Sequence, residues 1–136
     1  RVAIASILAM HPRVLVLDEP TSGLDPVGKA EVFAVVRELR RRRDVTIVLV
    51  EQEAEKIAEF SDRVIVLYDG VVALDGAPRD VFANGETLND MGLAVPQVSE
   101  LADLHNRAWG TAYRFLNVEE ACSALARELT GGGCDR

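Results

Sequence analysis

The sequence is short of cysteine, of basic residues and of long hydrophobic runs, and each shortage narrows what the chain can be. Its 136 residues contain no apolar stretch of about 18 residues, the length that a membrane-spanning helix needs. Its 15 lysines and arginines against 22 acidic residues give a net charge of −7, which argues against a primary nucleic-acid surface. Cys122 and Cys134 lack the spacing of a metal site, so we interpret them as reduced thiols of a cytoplasmic protein.

The chain is organised around one short hydrophobic segment that ends in two carboxylates. Four aliphatic residues, 14–17, lie between Pro12 and Pro20 and are followed by Asp18 and Glu19. A segment this short predicts a strand, and its lack of alternation predicts that helices cover both faces of a parallel sheet. Ligands of open α/β sheets bind beyond the carboxyl ends of the strands, where this acidic pair is expected to lie.

An acidic pair at the end of a buried strand suits nucleotide hydrolysis. In that chemistry an aspartate in the position of Asp18 holds Mg²⁺ beside the phosphates. A neighbouring carboxylate such as Glu19 can polarise the attacking water as a general base. The alternative is a strand that meets solvent at an acidic turn.

The following residues carry a family resemblance. The run Leu-Asp-Glu-Pro-Thr-Ser-Gly-Leu-Asp-Pro, at positions 17–26, resembles the Walker B motif and D-loop of ATP-binding-cassette (ABC) ATPases. The resemblance implies that Asp18 holds Mg²⁺ and that Glu19 activates water. It also implies a loop that crosses to a second nucleotide-binding domain and is formed by Ser22, Gly23, Leu24 and Asp25.

The residues of this loop also predict its local structure. Ser22 and Gly23 predict a tight turn. Asp25 is suited to cap a helix whose first position is Pro26, because an aspartate accepts hydrogen bonds from free helix amides and proline needs no amide there.

Apolar periodicity and turn residues predict the next elements. In order, they are a helix over 27–43, a strand over 45–50, a short helix around Ala54 to Ala58, a strand over 63–68, a hairpin through Asp69-Gly70 to a strand over 71–74, and a short helix over 79–83. The arginines at 40–43 predict a solvated helix end that the dipole favours. A lipid or nucleic-acid contact is the alternative for this basic run.

The second strand ends in Glu51-Gln52. In ABC ATPases a histidine commonly stands at the position of Gln52 and contacts the γ-phosphate, so the resemblance implies that Gln52 senses this phosphate. A glutamine can hydrogen-bond a phosphate or water but carries no charge. Some ABC ATPases resembling branched-chain amino-acid importers also read Val-Glu-Gln here, so the substitution does not imply inactivity. The alternative is a solvent-exposed residue at a helix start.

The resemblance to the nucleotide-binding domain covers residues 1–85. Residues 1–10 predict a helix and resemble the segment that follows the family's signature motif, while residues 61–78 match the usual end of the domain. The chain begins with Arg1 inside an apolar run and contains no Gly-rich phosphate-binding loop (Walker A). We therefore expect the C-terminal part of the domain, inactive on its own.

Residues 86–136 predict a small helical appendage and a flexible tail. The stretch Leu-Ala-Val-Pro-Gln-Val-Ser-Glu-Leu, at 93–101, is similar to the region after the core in cobalt/energy-coupling-factor transporter ATPases. His105 is expected to be a satisfied interface residue and not a ligand. Two amphipathic helices without a convergent acid, base or metal set predict a protein–protein contact. We expect the contact to involve Val98, Leu101, Leu125 and Leu129.

The predicted fold is α/β: the C-terminal part of a P-loop NTPase core with a helical C-terminal appendage. The resemblance implies an ATPase that drives transport, with ATP and Mg²⁺ as cofactors. The implied partners are a second ABC ATPase subunit and an integral membrane transporter subunit, at the cytoplasmic face of the cell membrane, with no nucleic acid expected. The alternatives are a soluble ABC-type ATPase acting on DNA or ribosomes, and a non-hydrolysing regulatory remnant, which Gln52 leaves open.

Overall fold

The computed structural model describes residues 12–42 and 45–131, in two compact units, one ending at Gln52 and the other beginning at Glu53. The helix predicted over residues 1–10 and the predicted tail with Cys134 lie outside the described residues. None of the described helices is both long and apolar enough to cross a bilayer. In chain order the elements are β1 (Val14–Asp18), α1 (Pro26–Arg42), β2 (Thr46–Val50), α2 (Ala54–Phe60), β3 (Val64–Tyr68), β4 (Val71–Gly76), α3 (Pro78–Phe82), α4 (Gly85–Asp90), α5 (Gln97–Trp109) and α6 (Val118–Gly131).

The first unit is a parallel strand pair joined by a helix. Strand β1 pairs with β2 in a register that runs from Val14 opposite Thr46 to Asp18 opposite Val50. Helix α1 connects them, as parallel strands require a crossover. Its buried residues, Gly28, Val32, Phe33, Val36 and Leu39, follow the spacing of one helix face. Both strands therefore end at the same edge, as predicted.

The expectation that both faces of the strands are covered is wrong for these residues. Leu15 and Leu17 are buried, but Val14 and Val16 on the opposite face are 58% and 63% exposed. Strand β2 also alternates between half-buried and exposed positions. The described part of this unit has one helix, α1, and a single helix covers one face of a strand pair. The aliphatic run thus forms a strand that buries alternate side chains.

The second unit contains the predicted hairpin. Strands β3 and β4 pair antiparallel, with an irregularity between Val66 and Leu67. Asp69 and Gly70 both have positive φ, 48° and 78°, which is the backbone of the turn predicted for an Asp-Gly pair. At the other end of the hairpin, Arg63 donates two hydrogen bonds to Asp75, which lower the pKa of that carboxyl below its ordinary value.

One hydrophobic cluster organises most of this unit and includes residues beyond position 85. Its buried members are Ala54, Ala58, Val64, Val66, Val81, Phe82, Leu88 and Val95. Leu88 lies in α4, a helix that was not predicted from the sequence. Its segment Gly-Glu-Thr-Leu-Asn-Asp has poor helix formers, so burial of Leu88 outweighs weak local propensity. The boundary between the predicted domains at 85/86 stays a prediction.

Helices α5 and α6 enclose a smaller cluster. Ala102, Phe115 and Ala121 are buried there, with Val98, Tyr113, Ala124 and Leu125 packed against them. Gly110 ends α5 in a left-handed conformation, and Asn117 caps α6 by accepting a hydrogen bond from the Glu120 amide at 2.9 Å. Glycine after a helix and asparagine before one are common at these positions, so each residue satisfies its own helix end locally.

An ion pair links helix α3 to α6. Arg79 donates to the Glu120 carboxylate at 2.8 Å, and the backbone amide of Leu116 donates to the same group at 3.2 Å. The hydrogen bond from Arg79 lowers the pKa of Glu120. Both side chains are more than a third exposed, so the pair orients α6 without contributing much stability.

Candidate functional site

The carboxyl ends of β1 and β2 bring the predicted site residues to one edge of the strand pair. The Glu19 amide donates to the carbonyl of Val50 at 2.9 Å, so the residues after both strands lie side by side. Glu19 has φ 43°, in the left-handed region that non-glycine residues adopt rarely and at a cost of about 1–3 kcal/mol. This backbone conformation turns the chain sharply at the candidate general base.

Glu19 and Gln52 are in direct contact. The Nε2 of Gln52 donates a hydrogen bond to Oε1 of Glu19. Glu19 is half-buried and Gln52 is exposed, so solvent reaches the pair. The hydrogen bond from this neutral amide engages one of the two carboxylate oxygens of Glu19 and fixes the orientation of the group. The two residues proposed for hydrolysis from the sequence are therefore neighbours in the structure.

Asp18 presents a carboxylate that no other described residue engages. It ends β1 and is exposed, and its side chain makes no hydrogen bond or ion pair with residues 12–42 or 45–131. No group of three or more potential metal ligands occurs in these ranges. Mg²⁺ at nucleotide sites commonly takes only one or two carboxylates, with phosphate oxygens and waters filling its remaining positions. The donor chemistry of Asp18 fits this ion.

The predicted loop after Glu19 is a sequence of tight turns. The amide of Ser22 donates to the Glu19 carbonyl at 3.0 Å, and the amide of Leu24 donates to the Thr21 carbonyl at 3.2 Å. Gly23 has φ 70°, which suits a residue without a side chain. Ser22, Gly23 and Leu24 are exposed. The role of this loop in contacting a second domain stays a prediction.

Asp25 caps helix α1, as its position before Pro26 predicted. Its Oδ1 accepts a hydrogen bond from the Gly28 amide at 2.9 Å. Gly28 was not singled out from the sequence, although a Cβ there would lie 2.8 Å from Asp25 Oδ1. Glycine at this position therefore leaves room for the cap.

Removing the cap should lower stability. We expect Asp25→Ala to reduce the free energy of unfolding by about 0.5–2 kcal/mol, because the Gly28 amide loses its acceptor. Asp25→Asn, whose side-chain oxygen can still accept, is the matched control and should stay close to the parent. Urea unfolding followed by circular dichroism measures both. Equal stability of Asp25→Ala and Asp25→Asn would contradict the capping role.

Sequence reasoning missed two members of the site, Thr21 and Glu51. Thr21 is 2% exposed, and its hydroxyl donates to Oε2 of Glu51 at 2.9 Å. The other oxygen of Glu51, Oε1, accepts from the Gln52 amide at 3.0 Å. One signal was available in the sequence. Glu51 directly follows β2, at the edge where Glu19 and Gln52 also lie.

Comparison with known proteins finds ATP-binding proteins of transporters as relatives. No protein-family model matches the chain. The energy-coupling factor transporter ATP-binding protein EcfA2 of Clostridium perfringens is 44% identical over 126 residues, which are 92% of this chain and 44% of that protein. The protein of the same name from Symbiobacterium thermophilum is 43% identical over 138 residues, covering 100% of this chain and 48% of the relative. The chain thus spans about half the length of the curated relatives it matches.

Solved structures agree with the predicted fold class. The structure of cbiO1 from Clostridium perfringens, described as part of the ABC transporter complex cbiONQ, is 37% identical with a TM-score of 0.55. The match covers 75% of this chain and 41% of that one. An ATP-binding cassette of an ABC transporter, 19% identical, matches at a TM-score of 0.57 over 67% of this chain and 37% of its own, which bears on the fold alone. The resemblance to ABC ATPases and the α/β fold class are confirmed.

Proposed function

Because its relatives are ATP-binding proteins of energy-coupling factor transporters, we propose that this chain supplies the hydrolytic part of an ATPase domain that drives transport across a membrane. We call the polypeptide in which these residues would be joined to a phosphate-binding part of the same domain the complete subunit. The observation that carries the proposal is the contact between Glu19 and Gln52, next in the chain to the exposed carboxylate of Asp18.

In this proposal Glu19 is the general base. Its carboxylate lies at the start of the turn that follows β1, within reach of solvent and oriented by the side-chain amide of Gln52. It would accept a proton from the water that attacks the γ-phosphate of ATP. Gln52 would hydrogen-bond the γ-phosphate or the attacking water once ATP is present, because its amide can both donate and accept.

Asp18 would hold Mg²⁺ at the same edge. Mg²⁺ held there would neutralise negative charge that develops on the phosphates during hydrolysis. The carboxylate of Asp18 is suited to this ligation because it is exposed and uses neither oxygen in a contact with another described residue. Ser22, Gly23, Leu24 and Asp25 would contact a second ATPase subunit and so couple hydrolysis to its movement.

The proposed partners are a second ABC ATPase subunit and an integral membrane transporter subunit, with the complex at the cytoplasmic face of the cell membrane. The names of the relatives support this assignment, since they are transporter ATP-binding proteins, and the cbiO1 structure is described as part of an ABC transporter complex. Nucleotide hydrolysis by the complete subunit, measured as phosphate release before and after Glu19→Gln, tests the proposal.

We propose that the appendage contacts the second ATPase subunit, but through fewer than the four residues predicted from the sequence. Val98 and Leu125 are half-buried and pack against the cluster of Ala102, so they stabilise the appendage itself. Leu101 and Leu129 are 42% and 84% exposed and remain available to a neighbour. The partner-facing surface is thus reduced to the exposed leucines.

Replacing both exposed leucines should weaken assembly. We expect Leu101→Ser with Leu129→Ser to raise the monomer–dimer midpoint of the complete subunit about tenfold or more, since a fully buried Leu contributes about 1.5–3 kcal/mol and tenfold in affinity needs about 1.4 kcal/mol. Light scattering after size exclusion measures the midpoint. An unchanged midpoint would mean that the appendage packs only on its own chain.

The matched contrast is Val98→Ala, which should lower the free energy of unfolding and leave the midpoint unchanged. Truncation after Gly85 is a poor test, because it removes Leu88 and Val95 from the cluster that also contains Val64 and Val66. Such a truncation would open the core of the second unit. Surface substitutions therefore separate assembly from folding better than deletion does.

A further inference from the structure

We infer that Glu51 is a positioning residue that holds the turn carrying the general base in place, an inference that rests on the proposed function. Glu51 directly follows β2 and is half-buried. Its two carboxylate oxygens have different partners. Oε2 accepts from the hydroxyl of Thr21 at 2.9 Å, and Oε1 accepts from the backbone amide of Gln52 at 3.0 Å.

The bond to Thr21 joins two parts of the chain that are 30 positions apart. Thr21 is 2% exposed, and a buried hydroxyl without a partner is costly. Glu51 supplies the acceptor, and hydrogen bonds to charged groups are the stronger ones. Because Thr21 lies two residues after Glu19, this bond fixes the turn after the general base relative to the end of β2.

Together with the contact between Gln52 and Glu19, these bonds close a ring. It passes from Glu19 along the chain to Thr21, through the hydroxyl to Glu51, on to Gln52, and through the amide side chain back to Glu19. Glu19 has a left-handed backbone, which persists only where the surroundings constrain it. The ring provides such a constraint from two sides of the turn.

Glu51 would act on catalysis through its neighbours. Both of its carboxylate oxygens are used within the ring, so it positions Glu19 and Gln52 and is not itself the base. Loss of the hydrogen bonds of Glu51 should misplace the base relative to the attacking water. It should leave phosphate binding by the rest of the domain intact, so kcat should fall while KM for ATP stays constant.

The test is steady-state ATP hydrolysis by the complete subunit and its variants. Glu51→Ala and Thr21→Val should each lower kcat by about 10- to 100-fold, the range for a small misplacement of a catalytic group, with KM within about twofold. Because both remove the same bond, the double variant should be no slower than the slower single variant. Thr21→Ser, which restores the hydroxyl, should return kcat to near the parent value.

Glu38→Ala is the control, because Glu38 is an exposed glutamate that pairs with Arg42 on the same helix, and the kcat of this variant should equal that of the parent. Where Thr21→Val does not fold, Glu51→Gln takes its place, since an amide group cannot accept hydrogen bonds at both of its ends. Three outcomes would overturn the positioning role. They are effects of the two single variants on kcat that multiply, a change in KM alone, and a Thr21→Ser variant as slow as Thr21→Val.

A spectroscopic readout separates this inference from the proposed function. Nitrogen-15 NMR of the complete subunit reports the environment of the Gln52 backbone amide, which donates to Glu51, whether or not the protein hydrolyses ATP. Thr21→Val should shift that resonance, because it frees the Glu51 carboxylate to move. An unshifted resonance overturns the ring. A shifted resonance in a protein without ATPase activity supports the ring and rejects the proposed function.

Discussion

Glu19→Gln in the complete subunit should lower ATP turnover by roughly 10²–10⁴-fold, the range for loss of a general base, while ATP binding persists. The physical reason is the loss of basicity alone. A glutamine at position 19 keeps the volume of the side chain and an oxygen that can accept from Gln52 Nε2. Asp18, the proposed Mg²⁺ ligand, is untouched, so nucleotide affinity should change little.

Two measurements check this result. Phosphate release at saturating ATP gives turnover, and equilibrium binding of a fluorescent ATP analogue gives affinity. Glu38→Gln is the matched control, since Glu38 is exposed on α1 and its pair with Arg42 contributes little. Turnover of Glu19→Gln within a few-fold of the parent would remove Glu19 from the mechanism. A parallel loss of ATP affinity would instead assign it a binding role.

The isolated 136-residue chain should bind Mg-ATP more weakly than about 1 mM, which corresponds to less than about 4 kcal/mol of binding free energy. The 136 residues include a proposed metal ligand and a proposed base but no Gly-rich loop with its lysine, and backbone amides of such a loop supply most phosphate contacts. Asp18 and Glu19 by themselves add negative charge next to a negatively charged ligand, which opposes binding.

Calorimetric titration of the chain with Mg-ATP checks this prediction. Circular dichroism of the same sample establishes that the chain is folded, because an unfolded chain would also fail to bind. The complete subunit under identical conditions is the positive control. A dissociation constant in the low micromolar range for the 136-residue chain would contradict the prediction and would require a phosphate site among these residues.

Most local features of the fold and of the site could be predicted from neighbouring residues. The strand before Asp18, the cap formed by Asp25, and the Asp69-Gly70 turn all depend on residues within a few positions of each other. Parallel pairing of β1 with β2 then follows from a strand, a helix and a strand in succession, and it places the acidic pair beside Gln52. These features depend on short-range sterics and hydrogen bonding that the sequence displays directly.

The tertiary structure decided what depends on distant neighbours. Thr21 finds its acceptor in Glu51, 30 residues away, and neither residue type predicts this bond by itself. Weak helix formers fold into α4 because Leu88 is buried in a cluster built from other elements. The four apolar residues predicted to form the appendage's contact divide into packed Val98 and Leu125 and exposed Leu101 and Leu129. Periodicity shows which apolar side chains share a helix face, but only the position of the neighbouring elements determines whether each side chain is covered.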